Sequence, residues 1–142
     1  MRQKITLITL GVSDMKKSLD FYEKGLKWKR STAGTEDMVV FPLNGIALGL
    51  YSRSSLAEDA EVAEEGSGFR GITLSFNAIS ENEVDSVLKE VESLGATIVK
   101  RAQKVFWGGY SGYFSDPDGH LIEVAYNPFW ALDDKGNLDL PQ

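Results

Sequence analysis

The chain has 142 residues, 42% of them hydrophobic, and a formal net charge of −6, which fits one globular domain and argues against general disorder. It contains no cysteine, so disulfides, thiolate metal sites and a cysteine nucleophile are excluded. The acidic balance does not favour a nucleic-acid partner, and no apolar run approaches the roughly 18 residues of a membrane span. We therefore expect a cytoplasmic protein with neither a nucleic-acid nor a membrane partner.

The first half of the chain predicts one strand, one helix and three further strands. Residues 7–12 form an apolar run typical of a strand, and Ser13 or Asp14 can cap the helix that follows, which loses its regularity near Gly25. Three short strands are then expected at 28–31, 39–43 and 46–51, of which the first is the weakest. Asn44-Gly45 between the last two is a strong hairpin signal.

The second half repeats this pattern. Residues 71–76 echo residues 7–12, and Ser80 with Glu83 forms a capping box before a helix that Gly95 closes. The helix presents apolar residues at helical spacing, namely Val84, Val87, Leu88, Val91 and Leu94. Strands are expected at 97–101, 112–115 and 121–126, with a turn at Asp116-Pro117-Asp118-Gly119 before the last.

The repeat predicts an α+β fold built from two βαβββ units within a single domain, residues 1–142. The halves span residues 3–51 and 69–128. Residues 52–68, rich in Ser, Ala, Glu and Gly, are interpreted as a mobile linker, and residues 129–142 as a polar tail.

Alternation within the strands separates two sheet faces. One face is strongly apolar and suits the helices. The other carries small or hydroxylated residues, a pattern that predicts a ligand cavity on a curved sheet, although a partly solvated outer face would look similar. The members of this second face are Leu7, Thr9, Ala47, Gly49, Gly71, Thr73, Ser75, Leu121, Glu123 and Ala125.

Both ends of the domain carry a recognisable pattern. Gly11-Val12-Ser13-Asp14-Met15, followed by Phe21-Tyr22, resembles the start of a vicinal oxygen chelate domain, and the run from Phe114 to Glu123 resembles its closing hairpin. The resemblance covers about residues 3–128. It implies the glyoxalase/bleomycin resistance fold, in which two βαβββ repeats form curved mixed sheets around a cup.

The resemblance also implies where a metal would bind. Enzymes of this superfamily hold a divalent metal with His, Glu or Gln at inward strand positions, which fall here at Leu7, Gly49, Gly71 and Glu123. Only Glu123 can be a ligand, whereas a catalytic metal site needs at least three. We therefore expect a degenerate metal site, with no metal and no cofactor. His120 points to the opposite face by alternation, so a structural or surface role is expected for it.

Two functional hypotheses follow. The first is binding of a small organic molecule in the cup, as in the bleomycin-sequestering resistance proteins. Aromatic residues interleaved with glycines at 106–113 can stack on a ligand, or instead cover a sheet edge or a dimer interface. The expected ligand-binding residues are Leu7, Gly49, Gly71, Thr73, Phe106, Trp107, Tyr110, Tyr113 and Glu123, and Arg70 or Arg101 could pair with Glu123 or with an anionic substrate.

The second hypothesis is a glyoxalase-, lyase- or dioxygenase-like enzyme. It would be either metal-free, with Glu123 as the catalytic acid or base on an enolisable substrate, or dependent on a metal site that the sequence does not reveal. In both cases we expect a homodimer, because curved sheets leave edges to cover and the superfamily commonly pairs chains.

Overall fold

The computed structural model describes residues 7–35, 37–61, 63–66, 68 and 72–139. The chain divides into two compact units, residues 1–70 and residues 71–142. Each unit combines helical structure with a mixed sheet, of three strands in the first and four in the second, so the predicted α+β fold class is confirmed. The predicted site residue Gly71 and its neighbour Arg70 lie outside the described residues.

The first unit contains a three-stranded sheet and two helices. Its elements are β1 (Leu7–Val12), α1 (Met15–Leu19), which continues as a π-helix over Asp20–Gly25, β2 (Met38–Leu43), β3 (Ile46–Ser52) and α2 (Arg53–Asp59). The strand order is β1-β3-β2, with β1 parallel and β2 antiparallel to β3. Asp14 starts α1 by accepting a hydrogen bond from the backbone N–H of Lys17 at 3.0 Å.

One face of this sheet forms the core of the first unit. Its strand residues alternate, and those on one side are almost fully removed from water, which is the main stabilising contribution to such a unit. The buried strand residues on this face are Leu10, Val12, Val39, Phe41, Leu48 and Leu50.

The second unit contains the complete βαβββ pattern. Its elements are β4 (Leu74–Asn77), α3 (Glu81–Ser93), β5 (Thr97–Lys104), β6 (Tyr110–Ser115), β7 (Leu121–Tyr126) and a short hairpin of β8 (Ala131–Leu132) and β9 (Leu138–Asp139). The sheet order is β4-β7-β6-β5, with β4 parallel to β7. Gly112 shows that α3 packs on this sheet, because a Cβ there would lie 2.6 Å from Cδ1 of Leu88.

The first half departs from the sequence prediction in one strand. Residues 28–31 were expected to form a strand but adopt no regular structure, and Ser31 makes one edge contact, from its N–H to the carbonyl of Val40 at 2.7 Å. Two features explain the difference. Lys27 has a left-handed φ of 61°, which turns the chain, and Pro42 has no N–H to offer on the outer edge of β2.

The segment expected to be a mobile linker, residues 52–68, begins with a helix. Ser52 caps α2, its side chain accepting from the N–H of Ser55 at 3.5 Å. The helix then lies close to β1, since a Cβ at Gly11 would come within 3.2 Å of Cα of Arg53. The small residue in β1 therefore permits the close approach of α2.

Candidate functional site

A row of four polar residues crosses the sheet of the second unit. Cross-strand pairing places Ser75 opposite Glu123, Glu123 opposite Tyr113, and Tyr113 opposite Lys100, so each of the four strands contributes one member. Because paired residues project from the same face, the row is a continuous line of side chains. Glu123, Tyr113 and Lys100 are half-buried, and Ser75 is exposed.

Glu123 is the centre of this row. The hydroxyl of Ser75 donates to Oε2 of Glu123 at 3.2 Å. Partial burial, followed by the negative charge of Glu123 and a hydrogen bond to it, raises the pKa of Tyr113 above its ordinary value of 10.0. The carboxylate therefore accepts from the Ser75 hydroxyl on one side and has the Tyr113 phenol as its cross-strand neighbour on the other.

Lys100 completes the row at the edge of the sheet. Its Nζ lies 5.7 Å from the centroid of the Tyr113 ring, within the range of a cation–π interaction. From Ser75 to Lys100 the row consequently presents a hydroxyl, a carboxylate, a phenol and an ammonium group. Such an arrangement can offer both an acceptor and a donor to a polar ligand.

The adjacent row on the same face carries small or polar side chains. Ala125 pairs with Ser111 and Asn77, and Ser111 pairs with Gln103. Ala125 and Ser111 are 5% and 1% exposed, respectively. Beside the row of Glu123, this face therefore carries small or polar side chains.

The aromatic residues at 106–113 do not share one position. Phe106 is fully exposed in the turn after β5, and Trp107 folds against the backbone of Gly109, where a Cβ would lie 1.7 Å from Cζ3 of its ring. Tyr110 donates to Oδ1 of Asp85 on α3 at 2.8 Å, so its side chain is on the helix side of the sheet. Of these residues, the structure brings Tyr113 next to Glu123 and does not bring Tyr110 there.

The remaining predicted ligand positions are in or near the strands of both units. Leu7 and Thr9 are neighbours of Gly49, and a Cβ at Gly49 would lie 2.6 Å from Cε of Met38, so the thioether fills the space that a larger residue would need. Thr73 is exposed and immediately precedes β4.

These residues do not fit the metal centre that the superfamily implies. Leu7 and Gly49 have no side-chain donor, a glycine at 71 has none either, and Glu123 supplies a single carboxylate. Among the residues that the structure describes, no three His, Asp or Glu side chains come together in a group that could hold a metal ion. Chelation of a catalytic metal needs more ligands than this set provides.

His120 and Arg101 lie away from this carboxylate. Nδ1 of His120 is 3.0 Å from Oδ2 of the buried Asp116, whose Oδ1 also accepts the N–H groups of Asp118 and His120. This network stabilises the turn before β7. Arg101 instead lines a groove between α3 and β5 that also includes Asp85 and Glu92.

Sequence reasoning missed Lys100 as a site residue. The pairing of β5 with β6 shifts register between Ile98 and Lys100 and again before Gln103, so simple alternation does not give the face of Lys100. Ser75 was assigned to the correct face but not to the site. To place Ser75 beside Glu123, one has to know that β4 pairs with β7 in parallel and in the observed register.

Comparison with known proteins identifies the family. Residues 4–124 match the model of the Glyoxalase/Bleomycin resistance protein/Dioxygenase superfamily. The chain belongs to this superfamily, which confirms the resemblance seen in its two end motifs. Within the described residues, no helix is long and apolar enough to cross a membrane.

Individual relatives cover most of the chain. A metallothiol transferase FosB from Shouchella clausii is 32% identical over 121 residues, which make up 84% of this chain and 77% of the relative. The structure of a glyoxalase-related enzyme from Fulvimarina pelagi is 30% identical, covers 99% of both chains and superposes with a TM-score of 0.87. A lactoylglutathione lyase from Agrobacterium tumefaciens is 21% identical with a TM-score of 0.69, a likeness in fold.

Proposed function

We propose that this protein binds a small organic molecule against Glu123 on the polar sheet face of the second unit, without a catalytic divalent metal. The observation that carries the proposal is the row Ser75–Glu123–Tyr113–Lys100, in which a half-buried carboxylate accepts from the Ser75 hydroxyl and lies beside the Tyr113 phenol. A carboxylate in such a place is stabilised by an added cationic or hydrogen-bond-donating group. We therefore expect an amine or a strong donor on the ligand.

The donor set favours binding over metal-dependent transfer. Relatives named metallothiol transferases share about a third of the sequence, but the positions implied for metal ligands carry Leu7, Gly49 and Gly71 in this chain. The role that these residues support is sequestration or carriage of a ligand. Trp107, in the turn that precedes β6, supplies an aromatic surface for the flat part of such a molecule.

A second candidate is metal-free acid–base catalysis. It is favoured by the Glu123–Tyr113 pair, since a phenol with a raised pKa remains a proton donor while the carboxylate next to it can accept a proton. In this case Glu123→Gln would abolish turnover of an enolisable substrate while leaving much of the binding affinity. In the binding proposal, the same substitution weakens the affinity itself.

The test is a thermal-shift screen of small amines and amine-bearing aromatic compounds, followed by titration of a hit. Glu123→Gln and Trp107→Ala are each expected to weaken its affinity by about tenfold or more. Glu90→Gln on the exposed side of α3 is the matched control, because it removes the same charge away from the row. Unchanged affinity in both site variants would contradict the proposal, as would a tightly held Zn, Ni, Mn or Fe ion in each chain.

We further propose that the protein is cytoplasmic and homodimeric. A chain without cysteine needs no oxidising compartment. The outer strands β2 and β5 leave sheet edges whose covering by a second copy would be stabilising.

A further inference from the structure

A hollow lies beside the outer strand of the first unit, and the residues that line it take no part in the proposed function. It has a volume of about 370 Å³, within the range of small-molecule sites. Its lining combines two aromatic residues, a proline, a leucine and a lysine, namely Trp28, Phe41, Pro42, Leu43 and Lys29.

The hollow exists because the two halves differ at this edge. In the second unit β5 pairs with β6 from Thr97 to Lys104, which covers the edge of β6. In the first unit the corresponding segment, residues 28–31, makes one backbone hydrogen bond to β2, from the N–H of Ser31 to the carbonyl of Val40. Pro42 follows Val40 on the same outward side of β2 and has no N–H, so a further strand cannot pair there fully. An occupant that needs no backbone hydrogen bond suits this edge better than a peptide strand.

The aromatic wall of the hollow is held in place by packing. The ring of Trp28 lies 5.9 Å from that of Phe41 at 73° and 5.4 Å from that of Tyr22. Tyr22 and Phe41 are 2% and 1% exposed, whereas Trp28 is half-buried. A fixed indole with one side accessible can stack on a flat ring without first being ordered.

Lys29 gives the hollow a positive charge. Nearby basic residues are engaged, with Arg30 Nε 3.1 Å from Oε1 of Glu23 and Lys24 Nζ 2.6 Å from Oδ1 of Asp20. Lys29 is exposed and forms no salt bridge with any carboxylate among the described residues. An anionic group on the occupant would complement this charge.

We propose that this hollow binds a small aromatic acid, meaning a planar ring that carries a carboxylate. The ring packs against Trp28 and Pro42, and the carboxylate pairs with Lys29. All of its lining residues belong to the first unit, whereas Glu123 belongs to the second.

The experiment uses tryptophan fluorescence. The chain has three tryptophans, so the double variant Trp107→Phe, Trp130→Phe leaves Trp28 as the sole reporter. Benzoate is the probe, with benzamide as a flat neutral control and cyclohexanecarboxylate as a non-planar anion. We expect saturable change of Trp28 emission with benzoate and weaker binding of both controls. The melting temperature of the wild-type protein in the presence of each of the same three compounds gives a second readout.

Two substitutions separate the parts of the site. Lys29→Gln should weaken the binding of benzoate by about fivefold and leave the binding of benzamide unchanged, because it removes one ion pair. Lys27→Gln, with the same change of charge two residues away, should have no effect. Leu43→Phe should weaken both flat compounds by filling the hollow. No saturable binding at millimolar benzoate, equal effects of the two lysine variants, or unchanged binding in Leu43→Phe would each overturn the proposal.

Discussion

Partial burial and then the negative charge of Glu123 raise the pKa of Tyr113, because the two residues are cross-strand neighbours on a half-buried sheet face. A second tyrosine of the same unit, Tyr110, has its pKa raised by the hydrogen bond to Asp85 and then by burial. The two phenols lie on opposite sides of the sheet with different carboxylate partners. Tyr110 therefore serves, within the same protein, as the control for substitutions that change the pKa of Tyr113.

We predict that Glu123→Gln lowers the pKa of Tyr113 towards 10.0, because it removes the negative charge and the charged acceptor. Phenolate absorbance as a function of pH, compared with Tyr113→Phe, reports this titration. Asp85→Asn should lower the pKa of Tyr110 and leave the pKa of Tyr113 unchanged. A Tyr113 titration that is identical in wild type and Glu123→Gln would contradict the contact.

The same pair determines a pH dependence of stability. A tyrosine whose pKa is raised by folding contributes stability that is fully present below about pH 10, its unfolded value, and is lost as the pH rises through the higher folded pKa. The free energy of unfolding of Tyr113→Phe should consequently fall less steeply in the alkaline range than that of wild type.

At the scale of single residues, the sequence predicted the sheet face on which Glu123 lies but not all of its neighbours on that face. The turn motif before β7 fixes the position of Glu123, and strict alternation then separates it from His120. Alternation also separates Tyr110 from Tyr113, three residues apart on β6, a signal that was not used when both were named as ligand-binding residues. Lys100 could not be placed, because the shifts of register in β5 depend on the pairing of the whole strand.

The helix α3 illustrates how local signals determine an element. The predicted cap is present, with Ser80 Oγ accepting from the N–H of Glu83 at 3.2 Å. Oε2 of Glu83 reaches back one residue beyond the cap and accepts from the N–H of Ile79 at 2.6 Å. Gly95 follows its end with a φ of 92°, as a closing glycine should. The helix was predictable because both ends are encoded within a few residues of it.

We predict that Ser80→Ala lowers the free energy of unfolding by about 1 kcal/mol, since it removes the acceptor for a helix N-terminal N–H. Chemical denaturation measures the change. Ser86→Ala in the same helix is the control, where an exposed hydroxyl bonds only to the carbonyl of Asn82. Equal losses in the two variants would show that the capping interaction is not the cause.

The first half shows where such local signals end. The loss of helical regularity near Gly25 was predicted and corresponds to the π-helix over Asp20–Gly25. The strand expected at 28–31 has suitable residues but lacks partners, since a strand forms only when its hydrogen bonds can be completed. The left-handed φ of Lys27 and the missing N–H of the outward-facing Pro42 prevent that pairing. Both residues lie outside the segment, so its own sequence does not reveal the obstacle.

At the scale of the molecule, the internal repeat and the two end motifs were sufficient to predict the superfamily, because both belong to the fold rather than to a site. They do not determine the ligand. This chain shares its fold with a glyoxalase-related enzyme, while the residues at the positions that the resemblance implies for metal ligands are Leu7, Gly49, Gly71 and Glu123. Fold and chemistry therefore have to be argued separately.

Association of two chains is the prediction that concerns the whole molecule. Large aromatic side chains remain in contact with water in the isolated chain, with Phe106, Phe129 and Trp130 exposed by 101%, 72% and 49%, and burial of such surface is favourable. Because each chain carries a net charge of −6, two copies repel each other at long range, and salt screens this repulsion. We expect light scattering to give twice the chain mass of 15.7 kDa at micromolar concentration, with tighter association as salt is added. A mass of one chain at every salt concentration would show that the protein is monomeric.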